Sequence, residues 1–186
     1  NLLFKRLAAV YRGADSPALG SWEELLGAEK QYEATSDFTD DRLWWGKTME
    51  GQPPGGSWGG GASSGRAHMQ MRVTQTLTPD ETSTLNGLAE RAGVSLPAVL
   101  YSATAIYTHL VTRLGHFTLT VPVSARVATE QRHAPGLVAN YVPLVVRAAS
   151  KMNLGAFLTA TWRSLLGILR HQRYRGVWIR KDIGAP

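Results

Sequence analysis

The chain has 186 residues, a formal charge of +6, 44% hydrophobic residues and no cysteine. That length suits about one ordinary domain, and the apolar fraction excludes a chain disordered throughout. Without cysteine there is no disulfide framework, no thiol nucleophile and no cysteine-based zinc site, and no apolar run approaches the ~20 residues that cross a bilayer.

The opening Asn1-Leu2-Leu3-Phe4 has neither an initiator Met nor a secretory signal, and is expected to lie inside a longer protein. Leu2, Leu3, Leu7 and Val10 recur near helical spacing, with Lys5, Arg6 and Arg12 outside, until Gly13 ends the pattern. Ser21 before Trp22-Glu23-Glu24 is an N-cap followed by acids, which predicts a second helix to about Ala34. Phe38, Leu43, Trp44 and Trp45 mark a third, from Thr39 to Met49. Residues 51–66 then break all periodicity. Gln52-Pro53-Pro54-Gly55-Gly56, Gly59-Gly60-Gly61 and Ser63-Ser64-Gly65 read as a flexible connector. They do not read as a phosphate loop, because no strand leads in and no Gly-Lys-Ser/Thr follows.

Beyond the connector, strands and helices alternate, which argues for an α/β class. Met69, Met71 and Val73 alternate with polar residues as in a short half-buried strand. Thr78-Pro79-Asp80-Glu81 is a capping box with proline at the first helical position, opening a helix to Arg91 that stops at Gly93. Ser95-Leu96-Pro97 caps a more apolar helix ending near Arg113, and its Ala98, Leu100, Ala103, Ala105, Ile106 and Leu110 predict burial on most faces. Phe117 to Val123 and Tyr141 to Ala148 read as strands. A last helix from about Leu154 to His171 is expected to turn Phe157, Leu158, Trp162, Leu165, Leu166 and Leu169 inward.

Charge is unevenly spread. Residues 1–50 carry six Lys/Arg against nine Asp/Glu, and residues 51–186 carry fourteen against five. A basic surface of this kind suits an anionic partner. Nucleic acid is not expected, since there is no Cys/His finger, aromatic-glycine RNA motif or basic helix leading into heptads. No two of His68, His109, His116, His133 and His171 sit at metal-ligand spacing, and no histidine has an Asp four residues later, so neither a metal site nor a triad is read. His109 reads as a core or rim residue. The carboxylates read as surface charges, with no matched acid/base pair. Ser124, just beyond a strand end, is the best-placed hydroxyl, although an ordinary turn residue is the favoured reading of it.

Four segments carry a resemblance. Val121-Pro122-Val123-Ser124-Ala125-Arg126 is similar to the Pro-x-x-Gly-Arg segment of nonribosomal peptide synthetase condensation domains. Ala134-Pro135-Gly136-Leu137-Val138-Ala139-Asn140-Tyr141-Val142-Pro143-Leu144 is similar to their Gly-x-Phe/Val-x-Asn-x-x-Pro-Leu segment. His171-Gln172-Arg173-Tyr174 resembles their His-Gln-Asp-Tyr segment, and Arg180-Lys181-Asp182-Ile183-Gly184 the basic stretch after it. Order and spacing match, and the resemblance extends over nearly the whole chain. Three departures stand out: Ala125 for the usual Gly, Arg173 for Asp, and Arg175-Gly176 for the Pro-Phe after the tyrosine. The family's His-His-x-x-x-Asp-Gly motif is absent from these residues.

The resemblance implies a fragment of a two-lobed chloramphenicol acetyltransferase-like fold, a mixed sheet with packed helices. Residues 1–50 would be N-lobe and inter-lobe crossing helices, 51–66 the connector, and 67–186 the first part of the C-terminal lobe. It implies an amide-bond-forming acyltransferase that joins two carrier-protein-bound aminoacyl or peptidyl thioesters, inactive in this portion alone because the motif histidine is missing. Arg126, Ser124 and Asn140 would support the active site, and Pro122, Tyr141 and Val142 would line a tunnel. Arg126 would pair with the Asp of the missing motif, and with that Asp missing here it is expected to pair locally, face solvent or meet a companion chain. No metal and no directly bound cofactor are implied. The 4'-phosphopantetheine arms belong to donor and acceptor peptidyl carrier proteins, which are the implied partners together with the remaining segments of the same synthetase. No nucleic acid or membrane partner is implied, and the setting would be cytoplasmic. Alternatives are a same-fold epimerisation or cyclisation domain, a coenzyme A-dependent acyltransferase, and a catalytically silent docking module.

Overall fold

A computed structural model describes residues 2–15, 18–53, 73–127, 131, 133–136, 138–147 and 153–184. The strand expected at 69–73 and the connector beyond Pro53 therefore lie outside the described residues, Val73 excepted, which is not in a strand. Seven helices and two strands are described: α1 (Leu2–Tyr11), α2 (Trp22–Glu33), α3 (Ser36–Met49), α4 (Pro79–Ala92), α5 (Leu96–Thr112), β1 (His116–Val123), β2 (Asn140–Arg147), α6 (Leu154–Arg170) and α7 (Gly176–Asp182). β1 and β2 pair in a two-stranded sheet. No single helix among the described residues is long and apolar enough to cross a membrane.

Caps set most helix starts. The Ser21 hydroxyl accepts from Glu23 and Glu24 N–H and closes a capping box on α2, and Thr78 does the same with Glu81 on α4. Ser95 caps α5 through the Ala98 N–H. α3 begins three residues before the expected Thr39. Its N-cap Thr35 instead donates its hydroxyl to the Tyr32 carbonyl at 2.7 Å, tying off α2 so that the next helix follows almost at once. Sequence reading missed α7, whose seven residues are too few to show a period.

The chain forms two compact units. The first comprises Asn1–Glu50, Val121–Val142 and Leu169–Pro186. Leu25, Ala125, Ala134 and Val138 form one apolar cluster there. An aromatic group gathers around Phe38, whose ring centroid lies 5.5 Å from Tyr32, 5.2 Å from Tyr174 and 5.3 Å from Trp178. Such pairs favour the tilted and edge-to-face arrangements seen here. α1 buries no residue, so its Leu3, Phe4, Leu7 and Val10 stripe is exposed.

The second unit comprises Gly51–Thr120 and Pro143–Ile168. Ala89, Val99 and Leu158 form its apolar centre, with Leu85, Leu88, Ala92 and Val94 packed alongside. Gly93, at φ 64, ends α4 in the left-handed conformation that glycine adopts without a Cβ clash, and the chain turns by 98° into α5. His116 Nε2 donates to Gln52 Oε1 at 2.6 Å and the Thr118 hydroxyl to the Pro53 carbonyl at 3.3 Å, fixing the start of the glycine-rich stretch along β1. His109 is a rim residue whose Nδ1 lies 2.8 Å from the Leu114 carbonyl just past the end of α5.

Two burial expectations are corrected. α5 is not buried on most faces: only Ala98, Val99, Ser102, Ala105 and Thr108 are enclosed, while Leu100, Ile106, Tyr107, Leu110 and Val111 are exposed. The three- and four-residue steps between the enclosed positions define one stripe, and its small side chains let neighbours approach closely. α6 is rotated slightly from the expected face. Thr161 and Ile168 are buried with Phe157, Leu158 and Leu165, whereas Leu169 is exposed and Trp162 and Leu166 are half-buried.

Candidate functional site

In the first unit, three of the segments that carry the resemblance meet. The centre is Asn140, 5% exposed at the start of β2. Its Nδ2 donates to the carbonyls of Gln172 at 2.9 Å and Tyr174 at 2.8 Å. Its Oδ1 accepts from the N–H groups of Tyr141 and Gly176, both at 2.9 Å. A buried amide that fills two donor and two acceptor positions fixes the strand against the 171–176 turn. Gln172 extends the link, with Oε1 accepting from the Ala125 N–H at 3.1 Å and Nε2 donating to the Leu169 carbonyl.

The departures from the family pattern fall within this packing. Ala125 sits at φ 52, a conformation natural to the glycine usual at this position. A Cβ on Gly176 would lie 1.9 Å from the Tyr141 carbonyl oxygen, so the α7 start tolerates no side chain there. Arg173 and Arg175 both turn to Glu29 of α2, the latter at 2.6 Å and the former at 3.8 Å. Arg173 also lies 4.0 Å over the Tyr32 ring and donates to the Ala28 carbonyl.

The expected site residues divide. The Arg126 guanidinium donates to three backbone carbonyls: Gln131 and Ala134 through Nη1, and Gly136 through Nη2. It thus pairs locally, and no carboxylate among the described residues forms an ion pair with it. The Ser124 hydroxyl accepts from the Arg126 N–H at 3.3 Å, which shapes the turn, and its side chain is exposed. Pro122 and Tyr141 are exposed, the latter to 64%. Val142 is 1% exposed, in the packed row with Asn140, Leu144 and Val146, because side chains alternate along a strand.

Two carboxylates expected at the surface are held in side-chain networks, and one of them, Asp41, is buried. Asp41 of α3 accepts from the Tyr32 hydroxyl and lies 2.6 Å from His171 Nδ1, which therefore carries the proton because a carboxylate only accepts. Trp44 stacks on the His171 ring at 4.3 Å, and Trp45 Nε1 donates to the His171 carbonyl. Burial, then the bond to Asp41, raise the Tyr32 phenol well above its ordinary range. Asp182 accepts from the Tyr174 hydroxyl and from Arg42, and these bonds hold its carboxyl below the usual range. Burial, then the bond to Asp182, push Tyr174 up to about 12. No His/Asp/Glu group among the described residues is arranged to hold a metal ion.

Asp41→Ala should therefore leave the buried Tyr32 hydroxyl without a partner and free the half-buried His171 Nδ1 to meet solvent. A loss of about 1–3 kcal/mol is expected, the cost of one buried group left unsatisfied. Asp41→Asn should lose less, since an amide oxygen still accepts from Tyr32. Urea unfolding midpoints of the two variants measure the difference; equal midpoints for wild type and Asp41→Ala would remove Asp41 from the account.

The Condensation domain family matches residues 1–185. The chain is 24% identical to a dimodular nonribosomal peptide synthase of Bacillus subtilis (strain 168) over 98% of its own length and 8% of that protein's. It is 28% identical to an isonitrile lipopeptide synthase of Streptomyces coeruleorubidus, over 98% of this chain and 13% of that one. Among solved structures, the first condensation domain of the calcium-dependent antibiotic synthetase, in complex with a substrate analogue, superposes with a TM-score of 0.87 at 27% identity. That match covers 99% of this chain and 42% of the other. A variant of the starter condensation domain of rhizomide synthetase superposes at 0.78 with 26% identity, covering 100% of this chain and 42% of that one. The chain thus spans well under half the length of these relatives.

Proposed function

The chain belongs to the condensation-domain family, and from that premise we propose that it is a working part of a domain that forms a peptide bond in nonribosomal peptide synthesis. The observation that carries this reading is the junction around Asn140 and Gln172. It joins the Pro122–Arg126, Gly136–Tyr141 and His171–Tyr174 segments, the stretches by which the sequence resembles the family.

In this reading two carrier proteins of a cytoplasmic synthetase present their substrates as thioesters on phosphopantetheine arms. The acceptor amine attacks the donor thioester carbonyl; the carbon–sulfur bond breaks, the amide forms, and the donor carrier's thiol leaves with a proton. Holding two tethered reactants in register removes the entropy of bringing them together, which is worth several kcal/mol of barrier. The chain contributes shape and orientation: Arg126 and Asn140 fix the loop and strand start beside the reactants, while Pro122 and Tyr141 offer exposed wall. Other segments of the domain supply the His-His-x-x-x-Asp-Gly motif.

Two carrier proteins, one loaded with a donor and one with an acceptor amino acid, test the proposal. The longer condensation domain that includes these residues should form the dipeptidyl carrier. The 186-residue polypeptide alone should not exceed the carrier-only background. Silence from the longer domain would overturn the condensation reading, and turnover by the isolated chain would overturn the assignment of the motif histidine to other segments.

A further inference from the structure

Glu29 is one turn from the end of α2, and its side chain is 17% exposed. Its carboxylate receives Arg175 Nη2 at 2.6 Å, Gln131 Nε2 at 2.9 Å and, more distantly, Arg173 Nη2 at 3.8 Å. Gln131 is fully buried. Its Oε1 accepts from the Val127 N–H at 3.0 Å, and its backbone carbonyl is one of the three that hold the Arg126 guanidinium. Gln131 therefore links the two, its side chain bonded to Glu29 and its backbone carbonyl to Arg126.

We infer that Glu29 is a positioning residue: its charge sets the direction of the Gln131 amide, and through it the loop that holds Arg126 in place for the condensation proposed above. The reason is donor and acceptor polarity. A carboxylate only accepts, so Gln131 must turn its NH2 toward Glu29 and its oxygen toward the Val127 N–H. A neutral amide at position 29 could meet Gln131 in either sense, and one of the two would set NH2 against N–H at Val127. The two arginines strengthen the constraint. Arg173 and Arg175 stand where the family pattern has Asp and Pro, and both bring positive charge to the same carboxylate. Arg175 Nη1 also donates to the Val138 carbonyl at 3.2 Å, so the carboxylate gathers the far side of the same loop.

The test uses the condensation domain that contains these residues, as Glu29→Gln, Arg126→Ala and the double variant, with two readouts. Dipeptide formation from loaded carriers should show kcat reduced about tenfold to a hundredfold in Glu29→Gln, the scale on which misplacement acts, with the KM for the carriers unchanged. In the Arg126→Ala background the same change should add nothing, because the effect passes through Arg126. The Val127 amide should exchange with solvent about tenfold faster in Glu29→Gln than in wild type. Multiplicative losses of rate, or unchanged Val127 exchange, would overturn the inference. If the wild-type domain makes no dipeptide, the condensation reading falls and Val127 exchange alone decides the role of Glu29. If Glu29→Gln does not fold, Gln131→Leu cuts the same link while leaving the Arg175 pair intact. It should reproduce the loss of kcat, and full activity in that variant would overturn the inference.

Discussion

Asn140→Asp should strongly destabilise the first unit. The replacement keeps the oxygen that accepts from Tyr141 and Gly176, but turns the NH2 into a carboxylate oxygen facing two carbonyls 2.8–2.9 Å away. A buried charge then meets two acceptors, and the carbonyls of Gln172 and Tyr174 lose their donor. Leaving a buried charge uncompensated costs about 3–5 kcal/mol. The sign of the pH dependence is set by the same geometry. The protonated acid can donate one hydrogen bond to a carbonyl, so the folded state favours protonation and raises this carboxyl above the ordinary ~3.9. The deficit should therefore be largest near pH 7 and shrink on acidification toward pH 4. Urea unfolding at both pH values checks it. A loss below about 1 kcal/mol, or one that does not vary with pH, would mean that the turn is held by other bonds.

Much of the fold was legible because the signals are local. Ser21, Thr78 and Ser95 each cap a helix within three residues, and the chemistry of a cap is readable wherever a hydroxyl precedes acids or a proline. The strands were legible because Val121, Val123, Val142 and Leu144 alternate with outward residues. What was not legible depends on distant pairs. Asp41 and His171 are 130 positions apart, Glu29 and Arg175 146, so no spacing rule could reveal either. A search for histidines with a nearby Asp passes over His171 for that reason. One sign was available: Arg173 and Arg175 depart from the family pattern together, and two new cations in a turn call for an anion elsewhere. α5 misled because apolar content does not tell which half of a helix is enclosed. Its smallest residues are inside and its largest outside, the reverse of what size would suggest.

The segment from Ser124 to Arg126 illustrates both limits. Sequence resemblance placed the arginine but could not show how it is held. In the structure its side chain is fixed by three carbonyls of its own loop, with Ser124 closing the turn behind it and Gln172 bonded to Ala125. A guanidinium can satisfy several acceptors in fixed directions at once, whereas one ammonium on a flexible stem cannot reproduce that fork. Arg126→Ala would free the loop from 131 to 136 and remove the cation proposed to meet the Asp of the missing motif.

If the loop that holds Arg126 belongs to the condensation machinery and not merely to its surface, releasing it must show in catalysis. The direct measurement is dipeptide formation by the longer domain carrying Arg126→Ala, Arg126→Lys or, as a control, a change at the exposed Arg180. A loss of about a hundredfold is expected for Arg126→Ala, the magnitude that follows when a reacting geometry is displaced, with partial recovery in Arg126→Lys and full activity in Arg180→Ala. Activity in Arg126→Ala equal to that of the Arg180 control would contradict it.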